Sequence, residues 1–228
     1  DGVGKSSFTG VLKEQLSDLG IIIDADMLSA KHGGNNVAGG KAAAELINSC
    51  LNRSASFTQE TTLSGKKTLK TIFTAREKGY YIRLFYVGIS SAEESLLRIQ
   101  NRVKKGGHNI PEADVIRRYE NRFESLAAVL PYCNEVHFYD NENGFTSVGE
   151  YKCGEIITYG DNIPQWLKSF KEYLNNHSQL FFLPFPLRGY RSVLFRRRYF
   201  PHTRADSVRS LCVTLQTTFS LPLNTTKG

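Results

Sequence analysis

Gly2-Val3-Gly4-Lys5-Ser6-Ser7 constrains the fold more than any other feature of the chain. Gly4-Lys5-Ser6 is the closing half of a phosphate-binding loop, G-x-x-x-x-G-K-[ST]. Such a loop works only where a strand hands over to a helix. Glycines let backbone N–H groups turn inward around phosphate, and the following helix adds the positive end of its dipole. The lysine supplies a point charge and the Ser/Thr hydroxyl a ligand for Mg²⁺. Lys5 and Ser6 stand in those positions. The triplet alone also fits a glycine-rich turn before a helix, so its neighbours decide.

Those neighbours read as a nucleotide-binding α/β unit. Phe8, Val11, Leu12, Leu16 and Leu19 recur at helical spacing from Ser6 onward, and Gly20 is a stop. Ile21-Ile22-Ile23-Asp24-Ala25-Asp26 then reads as a short buried strand ending in acids, the order expected of such a unit. A polar, glycine-rich stretch follows, then a helix over 38–51. A weakly apolar strand over 54–60 ends in Glu60-Thr61-Thr62, and Ser64 is placed to cap a helix to Lys78. Residues 80–89 are rich in aromatic and β-branched side chains, the strongest strand signal in the chain. Ser91-Ala92-Glu93-Glu94 is a capping box opening a helix to about Val103. A basic glycine turn, 104–109, precedes a helix from Pro111 to about Leu130. A strand over 135–139, a hairpin over 145–158 and an amphipathic helix over 163–175 complete the pattern. Strands alternating with helices predict a three-layer α/β fold with a mostly parallel sheet, the hairpin being the local exception.

Cysteines 50, 133, 153 and 212 show no C-x-x-C spacing and read as free thiols. No apolar run reaches 18 residues, so no membrane span is expected. The net charge of +7 lies wholly in residues 179–228, while residues 1–178 carry equal numbers of acids and bases. A nucleic-acid-binding face on the folded body is therefore not implied. Residues 1–177 read as one domain and 178–228 as a basic, proline-containing tail. That tail fits no helix or strand template. It reads best as sequence not selected to pack, such as an out-of-frame segment, with a membrane- or nucleic-acid-binding tail as the alternative.

Taken in order, the motifs resemble the zeta toxin family of P-loop kinases over about residues 1–141. The resemblance rests on the loop, Ile23-Asp24-Ala25-Asp26, Glu60-Thr61-Thr62-Leu63-Ser64-Gly65, Gly79-Tyr80-Tyr81-Ile82 and Ser91-Ala92-Glu93-Glu94. It rests further on Arg102 to Glu112 with its Gly-Gly-His-Asn-Ile-Pro-Glu run, on Arg117-Arg118-Tyr119, and on Phe138-Tyr139-Asp140-Asn141. It implies a P-loop kinase fold in the cytoplasm. The implied activity is transfer of a phosphoryl group from ATP (or GTP), with Mg²⁺, to a sugar hydroxyl such as that of UDP-N-acetylglucosamine. It also brings in a small antitoxin as partner.

By the same resemblance Asp26 is the catalytic base. Gly2, Val3, Gly4, Lys5, Ser6 and Ser7 cradle the nucleotide, with Ser6 on the metal. Asp24, Glu60, Thr61 and Thr62 face the acceptor or shape the strand exits. Arg102, Arg117 and Arg118 flank a lid, where a planar guanidinium suits phosphate oxygens. Arg117 and Arg118 point about 100° apart on a helix, so one of them faces the nucleotide; motif position favours Arg118. His108 is expected to shape the lid, with Lys104 and Lys105 in solvent. The strand that should feed the loop, and the loop's first glycine, fall before residue 1. An inactive, truncated remnant of such a kinase is thus the competing expectation, and binding through the basic tail the third.

Overall fold

The computed structural model describes residues 2–107, 109–177 and 210–215. Seven strands form one sheet, in the order β1-β2-β7-β3-β4-β5-β6. These are β1 (Ile21–Ile23), β2 (Phe57–Thr61), β3 (Tyr81–Gly88), β4 (Glu135–Asp140), β5 (Thr146–Lys152), β6 (Glu155–Thr158) and β7 (Ser210–Leu215). The first five positions of the sheet are parallel; β5 and β6 add an antiparallel hairpin at the edge. The α/β class and the hairpin exception agree with the expectation from sequence.

Helices connect the strands: α1 (Lys5–Gln15), α2 (Ala25–Lys31), α3 (Asn36–Arg53), α4 (Lys66–Glu77), α5 (Ala92–Lys104), α6 (Glu112–Glu120), α7 (Arg122–Val129) and α8 (Gln165–Asn176). The apolar run of β3, interrupted only by Arg83, is explained by its place: every residue from Ile82 to Gly88 is buried. Its one charge, Arg83, is held by Asp18 at 2.7 Å. Phe8 anchors α1. Its fully buried ring packs against Tyr139 (4.6 Å between centroids) and Phe145 (4.8 Å). Burial of such a ring contributes about 1.5–3 kcal/mol, and it holds the first turn of α1, where Lys5 sits, over the carboxyl edge of the sheet.

Four differences from the sequence reading have physical reasons. First, α2 is a helix where a polar stretch was expected. Asp24 creates it by accepting from the backbone N–H of Asp26 (2.8 Å) and Met27 (3.4 Å). Second, Ser64 does not cap α4. Gly65 is the N-cap, and Ser64 Oγ pairs instead with Thr62 Oγ1 at 2.6 Å. Third, the helix expected from Pro111 to Leu130 is two helices divided at Asn121. Fourth, within the tail, residues 210–215 form β7. It pairs in parallel with β2 on one side and β3 on the other, so that Val213 lies opposite Gln59 and Leu84. β7 thus lies in the interior of the sheet, between β2 and β3. The rest of the tail, with Asp1 and His108, lies outside the described residues.

Candidate functional site

The site is built where α1 begins and the strands β1 and β2 end. Gly2 and Gly4 have φ of 73° and 86°, the left-handed region that glycine enters without strain. Side chains are excluded there for a second reason. A Cβ on Gly2 would lie 2.5 Å from the Ser95 carbonyl oxygen, and one on Gly4 would lie 2.9 Å from Asn141 Nδ2. The loop is thus pressed between α5 and the exit of β4. Gly4 is the N-cap of α1 and offers no side-chain cap, leaving first-turn N–H groups for another acceptor.

Around this helix start the structure gathers Lys5, Ser6, Asp24, Asp26 and Glu60. Ser6 Oγ donates to Glu60 Oε2 at 3.1 Å and lies 3.5 Å from Asp24 Oδ2. Thr9 Oγ1 donates to Glu60 Oε1 at 2.5 Å. Burial pushes the Glu60 carboxyl above the usual range; the Thr9 hydrogen bond pulls it down and the Asp24 charge pushes it up again. Desolvation lowers the Lys5 ammonium, and Asp26, Glu60 and Asp24 in turn oppose that shift. Asp24 and Glu60 are buried; Asp26, in the first turn of α2, is exposed. Among the described residues no group of three or more His, Cys, Asp and Glu side chains forms a metal cage. Ser6 with Asp24 and Glu60 is a hard-oxygen set. Such a set fits a Mg²⁺ ion that keeps waters and takes its other ligands from phosphates.

The two candidate lid arginines separate as helix geometry requires. Arg118 is half-buried and lines a small cleft with Val3, Tyr86, Val87 and Ser95. Arg117 is exposed and pairs with Asp114 at 2.7 Å, one turn back on its own helix. Arg102 lies close enough to Lys5 to depress its pKa, and its side chain fills the space beside Gly107. Lys104 and Lys105 are exposed. Thr61 and Thr62 have their hydroxyls engaged locally, Thr61 Oγ1 with Thr68 Oγ1 (2.9 Å) and the Leu63 N–H (3.1 Å), Thr62 with Ser64. Ser7 is exposed on α1.

Sequence reasoning assigned no role to Thr9, Arg98 or Asn141. Thr9 was legible as one turn after Lys5 on the same helix, but its target, Glu60, is 51 residues away. Asn141 was visible only as part of the Phe138-Tyr139-Asp140-Asn141 motif.

Comparison with known proteins places the chain as follows. A family model described as "Zeta toxin" matches residues 1–145. A Haemophilus influenzae protein described as uncharacterized is 34% identical over 124 residues, 52% of this chain and 86% of that protein. A chain from the structure of the PezAT chromosomal toxin–antitoxin system of Streptococcus pneumoniae shares the fold. Its TM-score is 0.50 at 14% identity, over 79% of this chain and 83% of that one. No helix among the described residues is long and apolar enough to cross a membrane.

Proposed function

Because the chain belongs to the zeta toxin family, we propose that it is a kinase. It moves the γ-phosphoryl group of ATP or GTP to a hydroxyl of a small molecule, with a UDP-amino sugar such as UDP-N-acetylglucosamine as the acceptor class. The observation that carries this reading is the cluster of Lys5, Ser6, Asp24, Asp26 and Glu60 around the glycine-bracketed start of α1.

In this reading the phosphates lie against the α1 N–H groups and the Lys5 ammonium. Positioning and charge neutralisation supply most of the acceleration in phosphoryl transfer. Asp26 stands exposed at the exit of β1, at the carboxyl edge where open α/β sheets take ligands. It receives the acceptor's proton as that oxygen bonds to the γ-phosphorus and the bond to the β–γ bridging oxygen breaks. A Mg²⁺ ion held by Ser6, with Asp24 or Glu60 behind it, would neutralise charge on the β- and γ-phosphates. Arg118 and Arg102 face the transferring group, and Glu60, Thr61 and Thr62 border the acceptor side. A small antitoxin that covers this edge is the proposed protein partner, since the structural relative comes from a toxin–antitoxin system.

The test is transfer from γ-labelled ATP to UDP-N-acetylglucosamine by the full chain, Lys5→Ala and Asp26→Asn. Transfer by the full chain and a loss of about 100-fold or more in each variant are expected. Full transfer by Asp26→Asn would remove Asp26 as the base. Full transfer by Lys5→Ala would remove the loop as the phosphate site. Phosphoryl transfer to water alone would redirect the search to another acceptor.

A further inference from the structure

The loop residue Val3 is almost fully buried, and its carbonyl does not point at the proposed phosphate site. It accepts from Asn141 Nδ2 at 2.7 Å. A peptide unit is planar, and no peptide among the described residues is cis, so the C=O of Val3 and the N–H of Gly4 point in opposite directions. Whatever fixes one fixes the other. The carboxamide can only face Val3 with its NH₂ group, because its oxygen would meet the carbonyl oxygen as acceptor against acceptor.

Asn141 is itself held on three sides. Its backbone N–H donates to the Gly88 carbonyl at the end of β3 (3.2 Å). Its own carbonyl accepts from Arg98 Nη2 at 2.6 Å, and Arg98 Nε in turn binds Glu94 at 2.6 Å. The preceding residue, Asp140, accepts from Trp166 Nε1 at 2.8 Å. This network joins β3, β4, α5 and α8 and fixes the backbone from which the Asn141 side chain reaches Val3.

We propose that Asn141 is a positioning residue of the phosphate loop: by holding the Val3 carbonyl it turns the Gly4 N–H to the opposite side, toward the proposed phosphate site beside Lys5. The consequence for ligand binding rests on the kinase reading; the orientation of the Gly4 N–H does not. Asn141 touches no reacting atom and acts through the loop backbone. A neutral hydrogen bond of this kind is worth about 1 kcal/mol, or roughly a fivefold change in affinity.

The test uses the full chain as wild type, Asn141→Asp, Asn141→Leu and Lys5→Ala, with Asn176→Asp as a charge control on the exposed end of α8. Two quantities are read. One is the amide chemical shift and exchange rate of Gly4 in the free protein, by ¹⁵N–¹H spectroscopy. The other is the affinity for inorganic pyrophosphate and for ATP. Asn141→Leu is expected to move the Gly4 amide resonance, speed its exchange and weaken pyrophosphate binding about fivefold. Asn141→Asp sets a carboxylate against a carbonyl and is expected to do more. Lys5→Ala should lose pyrophosphate while leaving the Gly4 exchange rate near wild type, and Asn176→Asp should change neither quantity. A Gly4 amide and a pyrophosphate affinity unmoved in both Asn141 variants would overturn the proposal. If wild type binds neither pyrophosphate nor ATP, the kinase reading falls, and the Gly4 amide still decides the role of Asn141. Should Asn141→Asp fail to fold, Asn141→Leu, which keeps the volume, decides.

Discussion

Replacing Gly39 by alanine tests whether one close helix contact sets the position of Asp26. Gly39 lies inside α3 and faces α2. A methyl group there would come 2.1 Å from Ser29 Oγ, 2.4 Å from Ser29 N and 2.5 Å from Ser29 Cα. The hydroxyl can rotate away, giving up its 2.8 Å bond to the Ala25 carbonyl. The backbone atoms cannot. Ordinary contact begins at 3.4 Å, so the α2 backbone must retreat from α3 by about 1 Å. Overpacking of this kind costs about 1–3 kcal/mol, while alanine in place of glycine inside a helix returns about 1 kcal/mol. The net loss of stability is therefore small, about 0–2 kcal/mol. The functional effect is larger. Asp26 lies one turn before Ser29 and moves with α2, and a misplacement of about 1 Å at reacting groups costs roughly 100-fold in rate. Gly40 is the control. A methyl there meets nothing within 4 Å, so Gly40→Ala should gain about 1 kcal/mol and keep its rate. The assay pairs thermal melts with phosphoryl transfer for the two single variants. Full transfer by Gly39→Ala would refute the reasoning, because it would mean that Asp26 is not placed by this crossing or does not act there.

Three further outcomes follow from the geometry. Arg118→Ala should lower transfer about 100-fold or more. Arg117→Ala should leave it near wild type, since an exposed one-turn pair contributes under about 1 kcal/mol; equal effects would undo the assignment of Arg118. Val213→Pro removes a backbone N–H from the strand between β2 and β3. It should cost about 3 kcal/mol and lower the melting temperature by roughly 6–12 °C, and an unchanged melt would exclude β7 from the sheet. Glu60 has a raised pKa in the fold, so its contribution to stability is full below its unfolded pKa of about 4.3 and is lost as pH rises through the folded value. Glu60→Gln should therefore melt higher than wild type at pH 7.5, with the gap closing on acidification toward pH 4; a gap independent of pH would contradict the burial argument.

Legibility in the sequence followed the range of the interactions. The strand β3 was readable because near-complete burial demands a largely apolar run, broken only by Arg83, and α5 because Ser91 accepts from the Glu94 N–H three residues on. Helix α2 was not readable. It has seven residues, its Met27 is exposed, and its burial comes from a glycine on another helix, so it carries no apolar stripe. The break at Asn121 was hidden likewise: Arg122 is stacked between the rings of Tyr119 and Phe123, a local packing with no periodic signature. Motif position favoured Arg118, but that Arg118 is half-buried and Arg117 exposed depends on the phase of α6 relative to the loop. That phase is a tertiary quantity. β7 was missed because its pattern makes sense only between two existing strands, β2 and β3, which lie 120 or more residues earlier in the chain.

The phosphate loop motif therefore specifies less than it suggests. Its glycines permit left-handed backbone, but permission is not orientation. In this chain the orientation comes from outside the loop: Ser95 backs Gly2, Asn141 holds the Val3 carbonyl, and Phe145 closes over Gly4. Ser6 is steered by Glu60, which Thr9 holds from the next turn of α1. α8 then reinforces the same corner. Trp166 binds Asp140 beside Asn141 and leaves no room for a side chain at Gly88. In the kinase reading, a loop placed this way needs little further ordering when phosphate binds, so less entropy opposes binding. The same arrangement makes the site sensitive to substitutions that never touch a ligand. Gly39, Asn141 and the pairing of β7 are such positions, and a change at any of them should reach the chemistry through the backbone.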